Sequence, residues 1–181
     1  MFMNRTHLKS FLLACVVSGN GVAAQGTPTP SIRECPTGAV DTSAWLLTRD
    51  SAVGIEIKHP ADYREKHWES RSDSSGVQVA FRRDAVSRVE FNEFQGFWAR
   101  RGPNPSVAPC LLQTRSAPLQ LHLERTVRTL WTGRDTVYFV AKGLFRPAGK
   151  PRILVELGAP DSTGLVEQLA MLRTMRFLRG R

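Results

Sequence analysis

The stretch Val53-Gly54-Ile55-Glu56-Ile57-Lys58-His59-Pro60-Ala61-Asp62-Tyr63 decides how the rest of this chain is read. Val53, Ile55 and Ile57 alternate with Glu56 and Lys58, the period-two pattern of a strand with one face in a core. Pro60 then ends the strand, because a proline nitrogen has no hydrogen to donate to the next rung. A strand this early in the chain predicts the opening strand of the main sheet. Its polar continuation holds His59 and Asp62, with His67 close behind, the one group here whose residue types suit a chemical site.

Working outward, Tyr63 to Gly76 is polar throughout and reads as a loop, or as one or two helical turns at the edge of the domain. Val77 to Phe81 and Arg88 to Asn92 alternate again, with Asp84-Ala85-Val86-Ser87 between them as a turn, which predicts an antiparallel hairpin. Phe94, Phe97 and Trp98 continue the apolar character until Arg100-Arg101-Gly102-Pro103-Asn104-Pro105 breaks it. Residues 118–131 fit two periods. Leu119, Leu121 and Leu123 alternate like a strand, while Leu119, Leu123, Val127 and Leu130 also form a helical stripe. The turn residues Thr132-Gly133-Arg134-Asp135 and the β-rich run Thr136 to Ala141 decide for a second hairpin.

Arg152 to Leu157 is nearly continuous in apolar residues and suits a central strand covered on both faces. The clearest helix comes last. Pro160-Asp161-Ser162-Thr163 offers N-cap residues, and Leu165, Val166, Leu169, Leu172 and Met175 form one apolar stripe. Arg173, Arg176 and Arg179 gather at its C-terminal end, where cations suit the helix dipole. Strands in succession closed by a helix predict an α+β fold: a mostly antiparallel sheet of about five to seven strands packed by the C-terminal helix.

A chain of 181 residues has room for a single domain. Arg5 and Lys9, the apolar run Phe11 to Val17 and the small residues Val22-Ala23-Ala24 follow the order of a secretory signal peptide. Residues 1–24 are therefore expected to be removed, 25–42 to form a Pro- and Thr-rich extended leader, and 43–181 to form the domain. Leu12-Leu13-Ala14-Cys15 resembles a lipobox, so lipidation at Cys15 is the competing reading of the same segment. The apolar run is too short to span a bilayer. Export leaves Cys35 and Cys110, and two cysteines in an oxidising compartment are expected to pair.

The chain is basic, with 25 Lys and Arg against 16 Asp and Glu. A basic exported protein can meet an anionic envelope component as well as an envelope protein. Arg82, Arg83, Arg88, Arg100 and Arg101 flank two strands and form a candidate anion-binding patch; charge protecting a sheet edge accounts for them equally. No basic, aromatic-interleaved motif supports nucleic-acid binding.

His59, Asp62 and His67, with Glu69 nearby, have the donor types of a zinc site. Their spacing matches no strong metal motif, and a solvated loop collects the same residues. His122 and Glu124 share a strand face and read as a cross-strand polar pair. Gly-x-Ser-x-Gly, Cys-x-x-Cys, His-Glu-x-x-His and phosphate-binding glycine loops are all missing. No catalytic residue is assigned and no cofactor is expected.

Three places give the layout a likeness to a known group. Gly54 to Tyr63 resembles the first core strand of the PsbP and Mog1p group of single-sheet α/β/α sandwiches. Thr136 to Lys142 resembles the late strand of that group's meander, and Leu165 to Phe177 its closing helix and the short extended segment after it. The likeness covers about residues 45–178 and implies a non-enzymatic binding or assembly module, with no functional residue carried across. The expectation is thus an exported accessory protein of the cell envelope. Its rival is a small metal-dependent hydrolase using His59, Asp62 and His67.

Overall fold

The computed structural model describes residues 32–69, 77–93, 103–129, 135–146 and 152–178. Within them the alternating stretches become strands and the C-terminal stripe becomes a helix. The strands are β1 (Arg33–Glu34), β2 (Leu46–Asp50), β3 (Ile55–His59), β4 (Arg64–Glu69), β5 (Val77–Arg82), β6 (Arg88–Glu93), β7 (Pro109–Gln113), β8 (Pro118–Thr129), β9 (Asp135–Phe145), β10 (Ile153–Ala159) and β11 (Arg176–Phe177), and α1 (Ser162–Thr174) lies between the last two. Eight strands form one sheet in the order β1-β7-β8-β9-β10-β6-β5-β4, and three form a second in the order β11-β3-β2. The short β1–β7 contact is parallel, and the other pairings are antiparallel.

Register builds the core row by row. Val79, Phe91, Val155 and Gly143 stand opposite one another across β5, β6, β10 and β9; Phe81, Val89, Leu157, Ala141 and Leu123 form the next row. These rows belong to one buried cluster with Ile55 and Ile57 of β3 and with Leu165, Leu169, Leu172 and Met175 of the helical segment. The helix touches β10 and β7 of the large sheet and β3 of the small one, so it closes the core between them. It starts where the Asp161 carboxylate accepts from the Gly164 N–H at 2.7 Å, an N-cap bond to an otherwise unmatched donor.

The α+β class holds, but the large sheet is wider than the expected five to seven strands. One reason is β4: residues 64–69, read as a loop or helical turns, pair in register with β5 from Arg64↔Arg82 to Glu69↔Val77. Another is β1, which the leader lays along β7. The opening strand, β3, lies in the small sheet, not at the start of the main one. Its outward residue explains this. Glu56 is buried, and a buried carboxylate needs cations. Arg49 of β2 and Arg176 of β11 stand directly opposite it in register and supply them.

Cys35 and Cys110 form the expected disulfide, across a sequence separation of 75 residues. Closing so long a loop contributes about 2–4 kcal/mol, chiefly by restricting the unfolded chain. The Cys35 N–H also donates to the Leu111 carbonyl at 3.0 Å, so the bridge and a sheet bond hold the leader together. Three residues on, Gly38 passes α1 where a Cβ would come within 2.8 Å of Val166 Cγ1, so that any side chain there would require Val166 or the leader to shift. The compact unit begins at Ser31, inside the segment read as leader. The signal-peptide and lipobox residues, Arg100 and Arg101, and the apolar trio Phe94, Phe97 and Trp98 lie outside the described residues. Among the described residues no helix is long and apolar enough to cross a membrane.

Burial works to raise the Glu56 carboxyl, but hydrogen bonds from Arg49 and Arg176 outweigh it and hold the group below its ordinary value. A lowered folded value gives stability that is present above the ordinary carboxylate range and is lost as pH falls through the folded value. Glu56→Gln is therefore expected to cost about 1–3 kcal/mol at neutral pH. It should also flatten the fall in stability between about pH 5 and pH 3. Urea unfolding across that range checks it, and parallel curves for the two proteins would contradict it.

Candidate functional site

His59, Asp62 and His67 leave the turn around Pro60 toward different partners. His59 is buried at the end of β3, its ring 4.8 Å from that of Phe81. Its Nδ1 lies 2.9 Å from the Pro60 carbonyl, which can only accept, so Nδ1 carries the proton. Nε2 is left to accept from the Thr48 hydroxyl at 3.0 Å. With both nitrogens engaged, His59 pins β3 to β2 and offers no lone pair to a metal.

Asp62 turns to Arg83, whose Nε lies 2.6 Å from its carboxylate. Arg83 also reaches Glu167 of the helix at 2.9 Å, and its guanidinium sits 4.6 Å above the buried Tyr63 ring. The Tyr63 hydroxyl donates to Glu167 at 3.1 Å and accepts from Gln168 Nε2 at 3.3 Å. Gln168, fully buried, donates as well to the Gly158 carbonyl at 2.7 Å. The cluster ties the segment after β3, the β5–β6 turn and α1 into one unit. Burial disfavours the charged form of Arg83, yet its bonds to Asp62 and Glu167 raise it further above its ordinary value.

His67 goes elsewhere. On β4 it stands with Glu65 on the face that Phe81 and Val79 share, beyond the end of the core. Its Nδ1 lies 3.2 Å from Asp50 Oδ2 and its Nε2 lies 2.6 Å from Glu65 Oε1. Asp50 closes β2 and caps the turn that follows, its Oδ1 accepting from the Val53 N–H at 2.7 Å. Gly54 completes that turn at φ 81°, a conformation glycine adopts without steric cost. Glu69, the remaining donor of the sequence-derived group, is on β4 as well.

The arginines of the candidate anion patch meet carboxylates of their own chain. Glu90 and Glu156 stand directly opposite each other on β6 and β10, a pairing of like charges that costs stability. Arg88 bridges both, at 3.3 Å and 3.2 Å, while Arg82 pairs with Glu90 and Lys142 approaches Glu156 at 3.7 Å. Arg82, Arg83 and Arg88 are thus matched within the fold; Arg100 and Arg101 fall outside the described residues. His122 and Glu124 are on β8 as expected, but His122 Nδ1 turns to the Val107 carbonyl at 2.6 Å, across to the segment before β7.

A cleft that no sequence pattern announces lies where the leader passes the start of α1. It encloses about 520 Å³ between Ala39, Val40 and Asp41 on one side and Ser162, Thr163, Val166 and Glu167 on the other. Val166, read as part of the core stripe, is only half-buried because it lines this cleft. Hydrogen bonds from Ser43 hold the Asp41 carboxyl below its ordinary value, so the rim keeps a negative charge. The one legible hint was Cys35 inside the Pro- and Thr-rich leader, expected to fasten that segment through a disulfide.

No family model matches this chain, and no curated protein and no solved structure is detectably similar to it.

Burial, with the nearby Glu167, pushes the Tyr63 phenol up to about 12. A raised folded value gives stability that is fully present below the unfolded value and is lost as pH rises through the folded one. The chain has 2 tyrosines, so Tyr138→Phe isolates this phenol. Its absorbance at 295 nm is expected to rise only near pH 12, together with unfolding; a transition near pH 10 in the folded protein would contradict the burial and bonding described.

Proposed function

We propose that this chain is an exported, non-enzymatic binding or accessory protein of the cell envelope. Its partner is an envelope protein that inserts a basic side chain into the cleft beside α1. The cleft carries the reading. It is lined by the apolar Ala39, Val40 and Val166, by two hydroxyl side chains and by Asp41 and Glu167, of which Glu167 is shared with Arg83, and no Lys or Arg lines it. Such a surface favours a cationic group on an apolar stem over an anion. The disulfide that holds the leader is compatible with an oxidising, exported setting. The layout resemblance to the PsbP and Mog1p group points toward an accessory role as well.

An anionic envelope component fits less well, because Arg82, Arg83 and Arg88 already face carboxylates of the chain. The hydrolase reading needs His59, Asp62 and His67 to converge, and their hydrogen bonds run to Thr48 and Pro60, to Arg83, and to Asp50 and Glu65. A photo-activated cross-linker placed at Val166 in intact cells tests the proposal. The expected result is a discrete adduct with one envelope protein, lost on Asp41→Lys and not formed from exposed Gln120. Adducts no stronger at Val166 than at Gln120 would overturn it.

A further inference from the structure

The deeply buried carboxylates of the described residues are matched by permanent cations, with one exception. Glu56, its side chain 6% exposed, has Arg49 and Arg176; Glu90, at 11%, has Arg82 and Arg88. Asp50 is more buried than either, at 2%, and among the described residues the group opposite its outer oxygen is the imidazole of His67. A buried carboxylate without a cation is costly, and imidazole carries no permanent charge as guanidinium does.

The geometry around that imidazole sharpens the point. One ring nitrogen faces Asp50 Oδ2 at 3.2 Å and the other faces Glu65 Oε1 at 2.6 Å. Carboxylate oxygens only accept, so the two groups facing the ring nitrogens offer lone pairs. One ligand atom from each of Asp50, Glu65 and His67 lies within 4.8 Å of the other two.

We propose that Asp50, Glu65 and His67 form a binding site for a divalent cation of the zinc class, joining the end of β2 to the edge strand β4. Imidazole with two carboxylates is a donor set zinc accepts, at about 2.0–2.2 Å from each atom. Asp50 is the fixed ligand, because the Val53 N–H holds its other oxygen. Glu65 and His67, with side chains 31% and 54% exposed, supply the movement that brings the donors onto one ion. Their exposure leaves a remaining coordination position to water. The ion gives the Asp50 carboxylate the cation that Glu56 and Glu90 obtain from arginine. It also fastens β4, which ends the large sheet, to the small sheet.

This site is independent of the cleft and of the partner proposed for it. Calorimetric titration of the untagged full-length chain with zinc chloride, paired with thermal melts, tests it. The expected result is one saturable site per chain and a melting temperature that rises with zinc. His67→Ala should abolish both effects, Glu65→Gln should weaken binding by about tenfold or more, and His122→Ala should change neither. The two rim variants alter exposed side chains and leave the core intact. Binding that survives His67→Ala, or wild-type protein showing neither heat nor a thermal shift, would overturn the site.

Discussion

One sheet face has to be covered, and one helix cannot cover it. Eight strands at their usual spacing make a surface roughly 34 Å across. A helix of 13 residues is about 20 Å long and about 10 Å wide. The three-stranded sheet supplies the missing cover, with Ile55 and Ile57 against the rows led by Val79 and Phe81. That solution places Glu56 on the back of β3, where it would be a buried charge. Arg49 and Arg176, one from each neighbouring strand, remove the difficulty. The hydrophobic demand of the large sheet and the ionic triplet of the small one are two sides of a single arrangement.

The same economy governs the remaining charges. Glu90, Glu156, Asp62 and Glu167 are each held by a cation of this chain, and the Arg88–Glu156 and Arg83–Glu167 pairings tie together segments far apart in sequence. Arg82, Arg83 and Arg88 are in this way committed to carboxylates of their own chain. The cleft between the leader and α1 is lined by Asp41, which no cation of the described residues is shown to pair, and by Glu167, which Arg83 already holds. It exists because a disulfide fixes the leader along β7 and because Gly38 lets it pass close to Val166.

Much of the fold was legible in the chain. The α1 stripe, its Asp161 cap, both hairpins and the central β10 follow from periodicity and turn residues, which are local signals. Failures came where non-local contacts decide. Residues 64–67 are polar on both faces, because His67 faces Asp50 of another sheet, Glu65 faces His67 and Lys66 lies on the opposite face, so no apolar period marks the strand. Nothing in Val53 to Lys58 says which sheet it joins, since that depends on Arg176, 120 residues from Glu56. For the candidate sites, His67 was legible as a candidate ligand by residue type. Asp50 was not, because it comes from across a turn and reaches His67 only through sheet packing. The arginines were visible, whereas the glutamates that neutralise them were not, because cross-strand register is invisible in a linear charge count.

Disulfide, leader and cleft stand or fall together, and the proposed export would bring the chain to an oxidising compartment in which such a bridge persists. The most direct measurement is the intact mass of the protein taken from growing cells, denatured in the presence of a thiol-alkylating reagent. The account requires a chain lacking residues 1–24, with Cys35 and Cys110 bonded to each other and therefore unalkylated. A chain that still begins at Met1 and carries an alkyl group on each of Cys15, Cys35 and Cys110 would contradict it.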